Sequence, residues 1–263
     1  MVLNTAMPIN TMDYILDDID GVLVITVILI LNEERRDVFM EERIIKRILC
    51  YGDSNTHGYL APTGDRYAEH ERWTGILQDL LGAEYRIIEE GLGGRTTVID
   101  DALEDYLNGK KLIIPCIKTH YPVDLIIIML GTNDMKTRFG MSPWDIARGA
   151  GVVAQMAIDW TRARSKTNTP AKILLVSPIL ISEAMETSPF AEDFGYLEAH
   201  EKSKMLASRF QRVADNLGVY FMDAALITPP CDEDAIHLNK EGHLALAKEF
   251  AKRIKEIFET ESE

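Results

Sequence analysis

The chain has 263 residues, of which 46% are hydrophobic and 27% are charged, and its 42 acidic residues outnumber the 28 basic ones. This length suits one α/β domain or two small ones, and the composition is too apolar for disorder and too charged for a membrane bundle. A formal charge of −14 argues against a nucleic-acid surface, since phosphate contacts need clustered Lys and Arg. The three cysteines, Cys50, Cys116 and Cys231, lack C-x-x-C spacing, which argues against a disulfide framework or a structural zinc site and favours a reducing cytoplasm.

The first 39 residues differ in pattern from the rest of the chain. Residues 22–31 read VLVITVILIL, with acidic residues before them and the sequence NEERR after them. Ten residues are too few for a membrane-spanning helix, which needs roughly 20, and these flanks are unlike those of a secretory signal. We therefore expect residues 1–39 to be an atypical leader or arm outside the functional core, and residues 40–263 to form one domain. The stretch MEERIIKRILCYGDSN, which begins at Met40, would itself make a sensible protein start.

From residue 44 onward, short β-branched runs alternate with longer amphipathic stretches. Runs such as LIIIML and ILLVS are apolar throughout, as expected for central parallel strands covered by helices on both faces. The predicted strands are Ile48–Tyr51, Tyr85–Glu89, Leu125–Leu130, Ile173–Ser177 and Val219–Met222. The predicted helices are Arg72–Leu81, Pro143–Arg164, Tyr196–Leu217 and Lys240–Phe258. This alternation predicts a doubly wound α/β/α sandwich, with Glu183–Gly195 as an irregular insertion after the fourth strand.

Four short polar segments, here called the strand-end loops, follow predicted strands and should open at one edge of the sheet. In chain order they read GDSNTHG (52–58), EGLGGRTT (90–97), GTND (131–134) and DAIH (234–237). Each alone has an ordinary explanation as a turn, a helix cap or a surface histidine. The second loop lacks G-x-G-x-x-G spacing and the chain has no G-x-x-x-x-G-K-[ST] motif, so the support for nucleotide binding is weak.

Together, the strand-end loops supply the groups that acyl transfer by a serine requires. A serine hydroxyl is a poor nucleophile until a base accepts its proton, and that base needs an orienting acid. Ser54 is the candidate nucleophile, His237 the base and Asp234 the acid. The Ser54 N–H, the Gly94 N–H and the Asn133 side-chain amide are the candidate donors to an oxyanion. The serine does not lie in a G-x-S-x-G elbow, because threonine follows two residues after it.

In their order and residues, the four loops resemble the blocks of the GDSL or SGNH hydrolases, a family of serine esterases and lipases. The stretches RILCYGDSNTHG, RWTGIL, IEEGLGGRTTVIDD, LIIIMLGTNDMK and ILLVSP are most similar to its arylesterase/acyltransferase branch. The resemblance runs from about Ile45 to Phe258. It implies a flavodoxin-like three-layer sandwich on a five-stranded parallel sheet, with residues 40–263 as the hydrolase domain. It also implies hydrolysis of short-chain esters, acyl transfer to alcohols or peroxide, and self-association, with no metal or organic cofactor.

Departures from the family pattern concern the substrate pocket. Asn55 stands where the family name has leucine, and an acidic residue replaces the asparagine that often opens the second block. His57 lies where a large apolar or aromatic residue would shape an acyl pocket. We therefore take Asn55, His57, Trp73 and Phe190 as candidate pocket residues, although aromatic side chains on amphipathic segments usually pack in the core. The insertion that carries Phe190 could cap the site, make a subunit contact or form a plain solvent loop.

Three functions stay open from the sequence. The first is an esterase/acyltransferase acting on small acyl or aryl esters. The second is a carbohydrate esterase that removes acetyl groups from sugars with the same catalytic residues. The third is a non-catalytic ligand-binding or assembly protein, which would show a broken block, and none is broken. The expected partners are a small ester and an alcohol or water acceptor, with no nucleic acid or membrane, in a cytoplasmic homo-oligomer. Asp53 is expected to tie the loop under Ser54 through backbone N–H bonds.

Overall fold

Five parallel strands form the central sheet of the computed structural model, which describes residues 45–259. In chain order the strands are β1 (Lys46–Gly52), β2 (Tyr59–Leu60), β3 (Asp65–Arg66), β4 (Tyr85–Gly91), β5 (Leu125–Met129), β6 (Lys172–Ser177) and β7 (Tyr220–Asp223). The sheet has the order β4-β1-β5-β6-β7, and β2 and β3 form a separate antiparallel hairpin. The predicted five-stranded parallel sheet is thus confirmed. The predicted leader, residues 1–39, lies outside the described residues, as do residues 40–44 and 260–263.

Helices cover both faces of this sheet. Within the described part of the chain they are α1 (Ser54–His57), α2 (Trp73–Leu81), α3 (Gly109–His120), α4 (Pro143–Arg162), α5 (Ala191–Phe194), α6 (Leu197–Lys204), α7 (Leu206–Leu217) and α8 (Lys240–Glu259). Successive strand residues point to opposite faces. Leu49 accordingly packs with apolar residues of α3, α4 and α7, whereas Ile48 packs with those of α2 and α8. The two hydrophobic layers on either side of the sheet make the predicted three-layer sandwich.

Two helical regions differ from the sequence-based prediction. Helix α3 has no counterpart among the predicted helices; it begins with Gly-Lys-Lys and contains Pro115, a residue that normally disrupts a helix interior. The segment predicted as one helix over Tyr196–Leu217 is instead divided at Met205 into α6 and α7. Near that break, Ser203 Oγ donates to His200 O at 2.7 Å and accepts from Ile181 N at 3.2 Å. Such side-chain hydrogen bonds to the backbone compete with a continuous helix.

The carboxyl ends of the central strands are level with one another. Gly52, the last residue of β1, is in register with Gly91 of β4 and with Met129 of β5. From β1 the chain passes first to β4 on one side and then to β5 on the other, so the strand order reverses at β1. Ligands of doubly wound sheets bind in the crevice that such a reversal opens. The strand-end loops therefore meet at this edge.

Candidate active site

Ser54 is the first residue of α1, which follows β1 after a tight turn. The Asp53 carboxylate caps α1 by accepting a hydrogen bond from the Asn55 N–H at 3.0 Å, which confirms the structural role expected for it. The turn requires glycine at position 52, because a Cβ there would collide with the Thr56 side chain. Ser54 thus begins the helix, and its N–H has no acceptor within the helix and can serve as a donor.

His237 lies between Ser54 and Asp234. Its Nε2 is 2.8 Å from Ser54 Oγ, and its Nδ1 is 2.6 Å from Asp234 Oδ2. The other carboxylate oxygen, Oδ1, accepts hydrogen bonds from the N–H groups of Ile236 and His237 and from Cys231 Sγ. All three of the predicted triad residues are therefore brought together, and all three are buried.

The environment of Asp234 keeps it ionised. Burial opposes a negative charge there, but the hydrogen bonds from the His237 ring and from two backbone N–H groups lower the pKa of Asp234 to about 2. An ionised carboxylate that accepts from Nδ1 fixes the imidazole with Nε2 facing the serine, provided that Nδ1 carries the proton. The arrangement can therefore take a proton from Ser54 and stabilise the imidazolium that results.

The second and third strand-end loops place the candidate oxyanion donors beside each other. Asn133 begins a 3₁₀ turn after β5, and its Nδ2 donates to Arg95 O at 3.2 Å, next to Gly94. Gly94 has a φ of +77°, and a Cβ there would lie 2.9 Å from a methyl carbon of Leu107. Arg95 in turn reaches the first loop, because its Nη1 donates to Gly52 O at 2.9 Å. These contacts join the loops that carry Ser54, Gly94 and Asn133.

Two further buried carboxyl groups support these loops. Asp134 accepts the Thr97 N–H at 3.0 Å and so joins the third loop to the second. Burial raises the pKa of both Asp53 and Asp134 to about 6, in contrast to Asp234. Their hydrogen bonds are to neighbouring backbone and threonine groups, which fits structural roles.

Two of the four predicted pocket residues lie in the core instead. Asn55 is 3% exposed, and its side chain donates to Ile236 O at 3.2 Å and accepts from Leu238 N at 3.0 Å. Trp73 is fully buried, stacks on Phe250 with ring centroids 4.6 Å apart and donates to the Asn55 main-chain oxygen. Asn55 thus ties the turn that carries Ser54 to the loop that carries His237, and Trp73 packs beneath that turn. These placements correct the prediction that both line the pocket.

The other two predicted pocket residues are partly exposed, and a third aromatic residue joins them. Phe190 meets the His237 ring edge-to-face at 5.9 Å. The main-chain oxygen of His57 accepts a hydrogen bond from Arg66 Nε at 2.7 Å, and burial lowers the pKa of its ring. Tyr59, which the sequence did not single out, stacks on His237 at 4.2 Å. We call Tyr59 and Phe190 the aromatic rim.

The sequence carried little signal for Tyr59. Strand β2, which carries it, has only two residues, so no alternation of apolar and polar residues marks it. Its position directly after GDSNTHG was the one available hint, since residues near a nucleophile often contact substrate.

Between residues 45 and 259, no cluster of three or more His, Cys, Asp and Glu side chains is arranged to hold a metal ion. Over the same range, no helix is both long enough and apolar enough to cross a membrane.

Several solved structures that resemble this chain are those of esterases. The structure of an aryl esterase from M. smegmatis is 37% identical, with 80% of this chain and 99% of that chain covered, at a TM-score of 0.73. Est24, a carbohydrate acetylesterase from Sinorhizobium meliloti, is 35% identical, with 81% and 99% covered, at a TM-score of 0.73. A carbohydrate acetylesterase family member from the same organism is 33% identical, with 80% and 97% covered, at a TM-score of 0.73. The comparison with curated proteins gives no match.

The fold and these neighbours define a carboxylic ester hydrolase with the SGNH hydrolase fold. Residues 50–245 match the model of the GDSL-like lipase/acylhydrolase family, and the chain belongs to that family.

Proposed function

We propose that the protein hydrolyses short-chain acyl or aryl esters through an acyl-enzyme formed on Ser54. One observation carries this proposal: Ser54 Oγ, the His237 ring and the Asp234 carboxylate form a continuous chain, with separations of 2.8 and 2.6 Å. A nucleophile, a base and an orienting acid within hydrogen-bond reach are the signature of covalent acyl transfer.

The reaction proceeds in two steps. In the first step, Ser54 Oγ attacks the ester carbonyl carbon while His237 Nε2 accepts the hydroxyl proton. The Ser54 and Gly94 N–H groups and the Asn133 amide hold the oxyanion of the tetrahedral intermediate. As the intermediate collapses, the C–O bond to the alcohol breaks and His237 gives its proton to the leaving oxygen. In the second step, water attacks the acyl-enzyme with His237 again as base, releasing the acid and restoring Ser54.

An alcohol can replace water in the second step and give acyl transfer. The aromatic rim supports this possibility, because two apolar ring surfaces beside His237 favour an organic acceptor over water. Self-association and a cytoplasmic location stay predictions from the sequence.

A fluorophosphonate probe tests the mechanism directly. We expect it to label Ser54, and we expect both labelling and hydrolysis of p-nitrophenyl acetate to disappear in Ser54→Ala. The control is Ser165→Ala, which alters a partly exposed serine in the loop between α4 and the start of β6 and should leave both readouts unchanged. Retained hydrolysis in Ser54→Ala would rule out the proposed mechanism.

A carbohydrate esterase that removes acetyl groups is the second candidate. The similarity to two carbohydrate acetylesterases, at 35% and 33% identity, favours it, and the same catalytic groups would serve. Acetylated xylo-oligosaccharides and aryl acetates distinguish the two candidates. A higher kcat/KM on the acetylated sugars would make the second candidate the better description.

A further inference from the structure

The segment 183–195 is attached to the active site on the N-terminal side of Phe190. Ser188 Oγ donates a hydrogen bond to Asp234 O at 2.7 Å, so the segment is held against the loop that carries Asp234. The same hydroxyl accepts from the Phe190 N–H at 3.1 Å. The aromatic ring that follows meets His237 edge-to-face.

A second attachment, through Arg138, lies on the C-terminal side of Phe190. Arg138 Nη1 is 2.5 Å from Asp193 Oδ1. Its Nη2 and Nε lie 2.7 and 3.3 Å from Asp101 Oδ2, which belongs to the chain that continues from the second strand-end loop. Thr137, the neighbour of Arg138, adds a hydrogen bond to Asp193 O at 3.1 Å. One guanidinium thus joins three separate segments at the edge of the site.

The two carboxylates that Arg138 contacts differ in their surroundings. The Asp101 side chain is 0% exposed, whereas that of Asp193 is 50% exposed. The hydrogen bond from Arg138 lowers the pKa of Asp101, so this buried carboxyl carries a charge that the guanidinium balances. The ion pair with Asp101 therefore anchors Arg138 to the buried part of the protein. The ion pair with Asp193 holds the segment 183–195 against Arg138.

We propose that Arg138 is a positioning residue for substrate selection, which fixes the segment 183–195 and so holds Phe190 beside His237. This inference rests on the proposed function, because the substrate would bind next to His237. A substrate's apolar acyl chain gains from a ring held in place, since ordering that ring during binding would cost entropy. A two-carbon acyl group has little chain to contact the ring, so its reaction should depend less on Arg138.

The variant Asp193→Asn tests the partly exposed ion pair between Arg138 and Asp193 without disturbing the buried pair between Arg138 and Asp101. We expect faster amide hydrogen exchange in residues 183–195, measured by mass spectrometry. We also expect the KM for p-nitrophenyl butyrate to rise about two- to fivefold, the range for a pair of this exposure, with kcat for the acetate ester nearly unchanged. The double variant Arg138→Gln/Asp101→Asn removes the anchor without leaving a lone buried charge, and it should give larger changes in the same direction. Glu249→Gln, which breaks a similar surface pair with Lys252 on α8, is the matched control.

The two measurements separate this inference from the proposed function. Unchanged exchange in residues 183–195 in both test variants would overturn the positioning role. Faster exchange in which the KM for p-nitrophenyl butyrate does not rise relative to the KM for p-nitrophenyl acetate would overturn it too. Faster exchange together with a selective rise in the butyrate KM supports it. The hydrogen-exchange result does not depend on which residue is the nucleophile, so retained hydrolysis in Ser54→Ala would be recognised separately as failure of the proposed mechanism.

Discussion

The strand-end loops, one of which carries His237, and the aromatic rim, which contacts the His237 ring, are held in place by different interactions. Three of the four loops begin where level parallel strands end, and contacts such as the hydrogen bond from Leu92 N to Gly52 O at 3.1 Å join one loop to the next. The rim residues come from a two-residue strand and from an insertion, and both are only partly buried. Their contact with His237 is through ring surfaces.

This difference separates the strand-end loops, whose residues would carry out the reaction, from the aromatic rim, whose residues would select among ester substrates. Hydrogen bonds to the backbone and burial leave the loop residues few alternative positions. Ring contacts and a partly exposed ion pair constrain the rim more weakly. We therefore expect substitutions in the loops to reduce the rate of the chemical step on every ester, and substitutions in the rim to change the preference among esters.

The largest effect should come from Asp234→Asn. An amide at this position cannot balance the charge of an imidazolium and favours the wrong tautomer of His237, so we expect kcat to fall about 10,000-fold. Steady-state hydrolysis of p-nitrophenyl acetate measures this loss. Asp145→Asn, an exposed position at the start of α4, is the matched control and should retain full activity. A loss smaller than about tenfold would show that another group orients His237.

Asn133→Ala should cause the next largest loss. Removing one oxyanion donor typically lowers kcat about 100- to 1,000-fold, with a much smaller change in KM. Because Asn133 Nδ2 also donates to Arg95 O, thermal unfolding should accompany the kinetics to confirm that the variant folds. Asn216→Ala, on the exposed side of α7, serves as the control. A change confined to KM would assign Asn133 to substrate binding instead.

Acid pH should weaken the packing beneath the strand-end loops through His243. This residue is fully buried, its Nδ1 accepts the Trp73 N–H at 3.2 Å, and burial lowers its pKa from 6.5 to about 4. As the pH falls, His243 of the unfolded chain is therefore protonated before His243 of the folded protein. The stability that the neutral, buried His243 contributes is complete above pH 6.5 and is lost as the pH falls towards 4. The loss corresponds to about 3 kcal/mol of unfolding free energy.

Urea unfolding of the protein and of His243→Gln at pH 7 and pH 4.5 isolates this contribution. The variant should be less stable at pH 7, but its stability should change less between the two pH values. Asp53 and Asp134, with pKa values near 6, oppose the trend because their folded forms bind protons first, and they affect both proteins equally. Identical pH dependence in the two proteins would contradict the assignment to His243.

Much of the sheet and of the strand-end loops could be predicted from the sequence because both depend on local patterns. Apolar runs of five or six residues mark the buried strands. Three of the loops directly follow such strands and the fourth comes later after β7, so Ser54 and His237 fall at a common edge. The direction in which a single side chain points is not encoded in this way. Asn55 and Trp73 consequently looked like pocket residues, although the structure buries both.

The rim and its anchor could not be predicted, since they depend on contacts between distant parts of the chain. Arg138 and Asp193 are 55 positions apart, and nothing in either neighbourhood marks the other as its partner. Helix α3 was missed for a related reason: burial of Ile113 and Ile117 against the sheet stabilises it despite its polar start and internal proline. Tertiary packing decides such elements, and local propensity does not.

Tyr59→Ala should have the smallest effect of these substitutions. A stacked pair of this kind contributes about 1 kcal/mol, so kcat/KM should fall about fivefold, while Tyr59→Phe should retain nearly full activity because the ring remains. Tyr121→Ala, at the opposite edge of the sheet, controls for the loss of a partly exposed tyrosine. If Tyr59→Ala instead reduced kcat about 1,000-fold on every ester, the stack would be essential for the position of His237. The rim would then belong with the strand-end loops, and the division between reacting and selecting groups would not hold.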